Sequence, residues 1–257
     1  MFCVVTFEFS GGGINGIRRR FCGSCEVRKV LLGTSGFYHV THHCKAGKIN
    51  WKRIKKAVAS HHCLFPHGTA PLQKHKIKLY ETSNFRRVSI ISVFMDLLRN
   101  SKEKTVGLYD EKGLLTRTAA TLLPLCNQLV VYTNNSEKYE RFCENTRDIF
   151  GTAPIVSDDM SVLSEVIAVL SPLGGDYSGF SALIPVFGIK PFEYHISDAC
   201  ISVDSTLTEH KPEAISTLDF LAAVYEKCGV KIHTEDFVKS LCKNGGITSL
   251  GGMYYFS

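Results

Sequence analysis

Thr105-Val-Gly-Leu-Tyr-Asp110, Gln128-Leu-Val-Val-Tyr-Thr-Asn-Asn135, Pro154-Ile-Val156 and Val166-Ile-Ala-Val-Leu-Ser-Pro172 are apolar runs with helical patterns between them. The spacing predicts strands at 105–109, 128–133, 154–156 and 166–170, alternating with helices at 113–126 and 137–150 and a short helix at 160–164. Strands that are continuously apolar, rather than alternating, are strands buried on both faces. Separated by helices, they imply a parallel sheet covered on each side.

Working outward, Val88, Ile91, Phe94, Met95 and Leu98 recur at helical spacing and give a connecting helix from about 84 to 100. Upstream the chain reads as β-rich. Strands are expected at 2–9, 26–32 and 37–43, the last two joined by Gly33-Thr34-Ser35-Gly36 as a hairpin turn, with a basic helix at 48–60 and a returning strand at 76–80. Downstream, strands are expected at 182–187 and 199–203. A helix from Pro212 to Cys228 follows, with Pro in its first turn and Gly229 as its stop, then a last helix from Thr234 to about Cys242 and an edge strand at 253–256. The fold class read from this is α/β, a parallel sheet flanked by helices with a smaller β-rich N-terminal domain. The expected divisions are 1–83, 84–205 and 206–257.

The runs quoted above resemble the nucleotide-binding half of the shikimate dehydrogenase and glutamyl-tRNA reductase group, within the Rossmann-like NAD(P)-binding superfamily. The order of β-rich part, connecting helix, Rossmann-like part and returning helices is similar to theirs as well. The resemblance implies a dinucleotide lying over the turn after the first strand and near the end of the second, at Gly113, Asn134 and Asn135, and Gly174 and Gly175, which follow a strand at the carboxyl edge of the sheet, complete the cofactor-binding candidates. The sequence departs from the pattern where phosphate chemistry is most demanding. The turn reads Asp110-Glu111-Lys112-Gly113 in place of a glycine-rich loop, and carboxylates oppose a pyrophosphate at a helix N-terminus. The Asn-x-Thr-x-Pro-x-Lys pattern of shikimate dehydrogenases is absent. Asn134-Asn135 also reads as an ordinary turn, and Gly174-Gly175-Asp176-Tyr177-Ser178-Gly179 as either a cleft lining or a surface loop.

Charge divides the chain sharply. Residues 1–95 carry 16 Lys and Arg against 3 Asp and Glu, a net of +13, whereas residues 96–257 carry 14 against 21, a net of −7. Arg18, Arg19, Arg20, Lys52, Arg53, Lys55 and Lys56 are the anion-binding candidates, accompanied in sequence by Phe21, Phe37, Tyr38 and Trp51. The alternative use of such a split is assembly, the basic part facing acidic surface of the same chain or of another copy, which makes a homo-oligomer the expected state. No nucleic-acid module accompanies the charge.

Ten cysteines are spread along 257 residues, too long a chain to need a disulfide framework, and they are read as reduced, partly buried thiols. Cys22-Gly23-Ser24-Cys25 with His42 and Cys44 is the most metal-like group, because Zn²⁺ takes four N or S ligands, and in a strand His42 and Cys44 share a face. His61, His62 and Cys63 follow without the close spacing of a finger or ribbon. No Ser-His-Asp order, paired-carboxylate site or HExxH helix is evident. The apolar fraction of 44% and the lack of a run of about 20 apolar residues exclude a membrane-spanning helix. Met1–Phe9 lacks a basic leader, so a cytoplasmic location is expected. Three functions follow, in order of preference: a non-catalytic Rossmann-like protein acting through binding or assembly with a degenerate nucleotide site, an NAD(P)-dependent oxidoreductase with an atypical phosphate loop, and a nucleic-acid or polyanion binder.

Overall fold

The computed structural model describes residues 1–9, 23–44, 48–102, 104–175, 184–189, 193–202, 209–228 and 238–243, and the backbone of 246–249. The chain forms two compact units. Unit 1 comprises Met1–Thr82 with Val203–Ile232, and unit 2 comprises Ser83–Ser202 with His233–Ser257. The segment 206–257 is thus divided between the two.

Unit 1 is a four-stranded sheet of β1 (Cys3–Phe9), β2 (Cys25–Leu32), β3 (Ser35–Cys44) and β4 (Cys63–Leu64) in the order β2-β3-β1-β4. β1 runs parallel to β3 and β4, while β2 and β3 form an antiparallel hairpin whose strands meet at Leu32 and Ser35. The period of two sorts the β1 side chains between two cores. Cys3 and Val5 pack with Val40 and with Ile54 and Val58 of α1 (Trp51–Val58), whereas Phe2 and Val4 pack with Phe37 and with Ile215, Phe220 and Val224 on and before α5 (Thr217–Cys228). α1 begins where the Asn50 side chain accepts the Arg53 N–H at 3.2 Å, an N-cap in the ordinary sense.

Unit 2 holds the α2 helix (Ser83–Asn100), β5 (Thr105–Tyr109), α3 (Thr116–Leu122), β6 (Gln128–Tyr132), α4 (Glu137–Phe150), β7 (Ile155–Ser157), β8 (Ala168–Ser171), β9 (Val186–Gly188), β10 (Tyr194–His195), β11 (Ser240–Lys243) and β12 (Gly246–Ser249). Its eight strands run β12-β11-β10-β9-β8-β5-β6-β7. All pairs from β7 to β10 are parallel, and β11 and β12 add antiparallel at the far edge. Counted from β5, the parallel part reads 3-2-1-4-5-6, the strand order of a doubly wound dinucleotide-binding sheet. The fold is therefore α/β with a Rossmann-like sheet and a smaller β-rich N-terminal unit. Val106, Leu108, Leu129, Val131, Val169 and Leu170 are buried at 0–1% exposure, the burial on both faces that their unbroken apolar runs imply. α2 covers one face, with Phe94 against Phe187 of β9 at a 5.4 Å ring separation.

Several local expectations change. The stretch 76–80 begins left-handed at Lys76 (φ 51°) and supplies one bridge, Leu79 to Cys63. In the strand expected at 199–203, Asp198–Cys200 is a 3₁₀ turn and Ile201 makes a single bridge to Val238, while Val203 lies outside the described residues. Ser240–Lys243, expected to end a helix, is β11, its backbone captured between β10 and β12. Residues 253–256 lie outside the described residues.

Candidate functional site

In a sheet of this order, ligands bind outside the carboxyl ends of the strands where the order reverses, here between β5 and β8. Asp110 directly follows β5. It is 1% exposed, and its carboxylate accepts the backbone N–H of Leu114 at 2.8 Å and of Leu115 at 2.7 Å. These N–H groups lie in the turn immediately before α3, close to the helix N-terminus beside which a pyrophosphate would sit. The Tyr139 hydroxyl, on a fully buried ring of α4, donates to the same carboxylate at 2.8 Å. Burial and then the adjacent carboxylate push the Tyr139 hydroxyl far above the ordinary tyrosine range, so it stays protonated and acts as a donor. The N–H cradle of this turn already holds an anion, one fixed covalently to the chain.

The turn is also closed against the end of β6. Glu111 carbonyl accepts from Asn134 N–H at 3.0 Å, Lys112 carbonyl from Lys138 Nζ at 3.1 Å, and Asp110 N–H donates to Tyr132 carbonyl at 2.9 Å. Gly113 is buried at φ 63°, a conformation suited to glycine, and a Cβ there would stand 2.9 Å from Lys138 and 3.3 Å from Asn135. Asn134 takes the Tyr132 hydroxyl at 3.0 Å, and Asn135 N–H donates to Thr133 Oγ1 at 3.1 Å. Gly113, Asn134 and Asn135 are thus brought together, bonded mainly to one another's loops. Gly174 and Gly175 follow β8, and a Cβ on Gly175 would meet the Tyr109 ring at 2.1 Å. That ring stacks on Tyr132 with centroids 5.0 Å apart. Ser171, the last residue of β8, has a fully buried hydroxyl with no hydrogen-bond partner among the described residues.

The cysteine and histidine group of unit 1 has a different character. Cys22 lies outside the described residues. His42 is fully buried in β3, its Nδ1–H donating to Ser24 carbonyl at 3.0 Å with Cys25 Sγ at 3.4 Å, and its Nε2 accepting Asn50 N–H at 3.0 Å. Both ring nitrogens serve the backbone, and one of those bonds positions the start of α1. Burial, foremost, lowers the His42 pKa and raises those of Cys25 and Cys44, so all three groups favour their neutral forms. No group of three or more metal-ligating side chains occurs among the described residues. A metal here would have to displace a backbone contact of His42.

Of the basic candidates, Arg18, Arg19 and Arg20 lie outside the described residues. Lys52, Arg53, Lys55 and Lys56 are exposed on α1 while Ile54 and Val58 point inward, and the Arg53 guanidinium donates to Gly23 carbonyl. Of the aromatic residues near them in sequence, Phe21 lies outside the described residues and the other three are packed. Phe37 is in the core, Tyr38 lies edge-on to His61 at 5.3 Å, and Trp51 stacks on His75 at 5.4 Å.

Tyr139 escapes a reading of the sequence. Its signal is an aromatic with a polar tip in the first turn of the helix after β6, on the side facing the sheet, together with an Asp immediately after β5. Among the described residues no helix is long and apolar enough to cross a membrane.

No family model and no curated protein matches the chain. Among solved structures, L-tryptophan dehydrogenase from Nostoc punctiforme is similar at 9% identity and a TM-score of 0.32, over 74% of this chain and 63% of that one. The chain thus spans less than two thirds of that dehydrogenase, and it is the strand order that assigns the fold.

Proposed function

We propose that this chain is a non-catalytic Rossmann-like protein acting through binding or self-association, with a dinucleotide site occupied by its own carboxylate. The observation that carries this reading is Asp110 on the N–H groups of Leu114 and Leu115, held by Tyr139. A pyrophosphate would need to expel a buried, triply bonded carboxylate and would then face its charge at short range, where the local dielectric is low. The layout shared with the shikimate dehydrogenase and glutamyl-tRNA reductase group would on this reading be inherited scaffold without inherited chemistry. Titration calorimetry of the full chain with NAD and NADP should give no binding in the micromolar range. Low-micromolar binding of either overturns the reading and favours an oxidoreductase with the cofactor over Gly113, Asn134 and Asn135.

The exposed basic face of α1 supports a second reading, anion binding through unit 1. A polyanion held by Lys52, Arg53, Lys55 and Lys56 releases condensed counterions, so affinity for heparin or a short oligonucleotide should fall steeply with salt. Assembly makes the opposite forecast. Added salt loosens a homo-oligomer, followed by light scattering, and no oligonucleotide affinity appears at low salt. Assembly is favoured here, because the aromatic residues beside α1 are packed rather than presented for base stacking. Binding at about 50 mM salt that vanishes by about 200 mM would instead establish the polyanion reading.

A further inference from the structure

The chain leaves unit 2 after Ser202, contributes α5 to unit 1, and re-enters unit 2 at His233. On the outgoing side lies the 3₁₀ turn Asp198–Cys200, and on the returning side lies β11. Here two thiols far apart in sequence come together. Cys200 Sγ and Cys242 Sγ are 2.9 Å apart, at 1% and 8% exposure. Ser197 Oγ stands 2.8 Å from Cys242 Sγ and 3.6 Å from Cys200 Sγ. The backbones beneath are fixed: Cys242 pairs with His195 across β10 and β11, Lys239 N–H donates to Cys200 carbonyl at 3.2 Å, and Ile201 bridges to Val238.

We propose that Cys200 and Cys242 form a reversible dithiol–disulfide centre whose oxidant is a low-molecular-weight disulfide of the oxidised-glutathione type. Cys242, the less buried, loses its proton to solvent and attacks one sulfur of the small disulfide. That S–S bond breaks, one small thiolate leaves and takes up a proton, and Cys242 carries a mixed disulfide. Cys200, deprotonated in turn, attacks the Cys242 sulfur and expels the second small thiol. Two protein thiols are oxidised to one disulfide and the small disulfide is reduced to two thiols, with no further reactant. The Ser197 hydroxyl, within reach of both sulfurs, can donate to the thiolate as it forms, which favours the charged nucleophile in a buried setting. The bridge closes the loop from Cys200 to Cys242, which contains the whole excursion through unit 1. Cross-links that close long loops restrict the unfolded chain most, so oxidation ties the outgoing and returning chain at one point.

The full chain is equilibrated with oxidised glutathione or with a phosphine reductant, alkylated, digested without reduction and mapped by mass. The expected result is a linked peptide joining Cys200 to Cys242 in the oxidised sample and both residues alkylated in the reduced one. Oxidation should raise the melting temperature by roughly 5–10 °C, and Cys200→Ala or Cys242→Ala should abolish that rise. Cys3 and Cys63, direct partners across β1 and β4, provide an internal comparison. Alkylation of both Cys200 and Cys242 after oxidation, glutathione attached singly to either, or a Cys3–Cys63 link alone would overturn the proposal. If the alanine variants do not fold, the peptide map of the unaltered chain still decides.

Discussion

Replacing Asp110 by alanine lowers the stability of unit 2 by about 3 kcal/mol, measured by urea unfolding. The side chain is buried and satisfies three donors, of which two, the Leu115 N–H and the Tyr139 hydroxyl, belong to buried residues and lose their protein partner once it is gone. The Leu114 N–H, on an exposed residue, can turn to solvent. An orphaned buried donor costs about 1–3 kcal/mol, so two account for most of the loss. Asp110→Asn should cost only about 1 kcal/mol, because its single oxygen can take the position of Oδ2, which serves Leu115 and Tyr139 together. A functional signature accompanies the loss. With the carboxylate removed, the start of α3 is an open anion site, so inorganic phosphate should raise the melting temperature of Asp110→Ala more than that of the unaltered chain at equal ionic strength. A change below about 0.5 kcal/mol, or an equal phosphate response in both proteins, would remove the basis for a self-occupied site.

Phe220→Ala is expected to destabilise unit 1 by about 4 kcal/mol. Phe220 is fully buried on α5 and meets Phe37 edge-on at 5.3 Å and Phe2 at 6.2 Å, while Phe2 and Phe37 stack at 5.4 Å. Truncation removes the helix's main anchor on that face of the sheet and leaves a cavity whose other walls are strand-bound aromatic rings with little room to collapse. Hydrogen exchange distinguishes this from a general loss of stability. Amides of β1, β3 and β4 should lose protection first, while those of β5, β6 and β8 keep theirs. Phe220→Leu, which retains most of the volume, should cost less than half as much. Equal loss of protection in both sheets would show instead that the two units unfold as one.

The sequence by itself determined the features that depend only on local pattern. β5 and α4 fall at their expected limits, Thr105–Tyr109 and Glu137–Phe150, because an unbroken apolar run and a 3.6-residue period are recorded in consecutive residues. The parallel character of the sheet followed for the same reason, since only strands buried on both faces lack alternation. The charge division and the missing glycine-rich turn were equally legible, being matters of composition at known positions. Tertiary structure alone decided what depends on partners distant in the chain. Cys63–Leu64 is too short to signal a strand and becomes one because β1 offers its open edge. Ser240–Lys243 became β11 because β10 and β12 take up its hydrogen bonds, and the segment around α5 joined unit 1 because Phe2 and Phe37 accept its apolar face. Asp110 shows the difference most clearly: its sequence position identifies a carboxylate that would repel a phosphate, but only the approach of Leu114, Leu115 and Tyr139 gives it three hydrogen-bond donors. Period and composition are properties of neighbouring residues, whereas the partner of a buried polar group is fixed by packing between elements that the chain brings together only on folding.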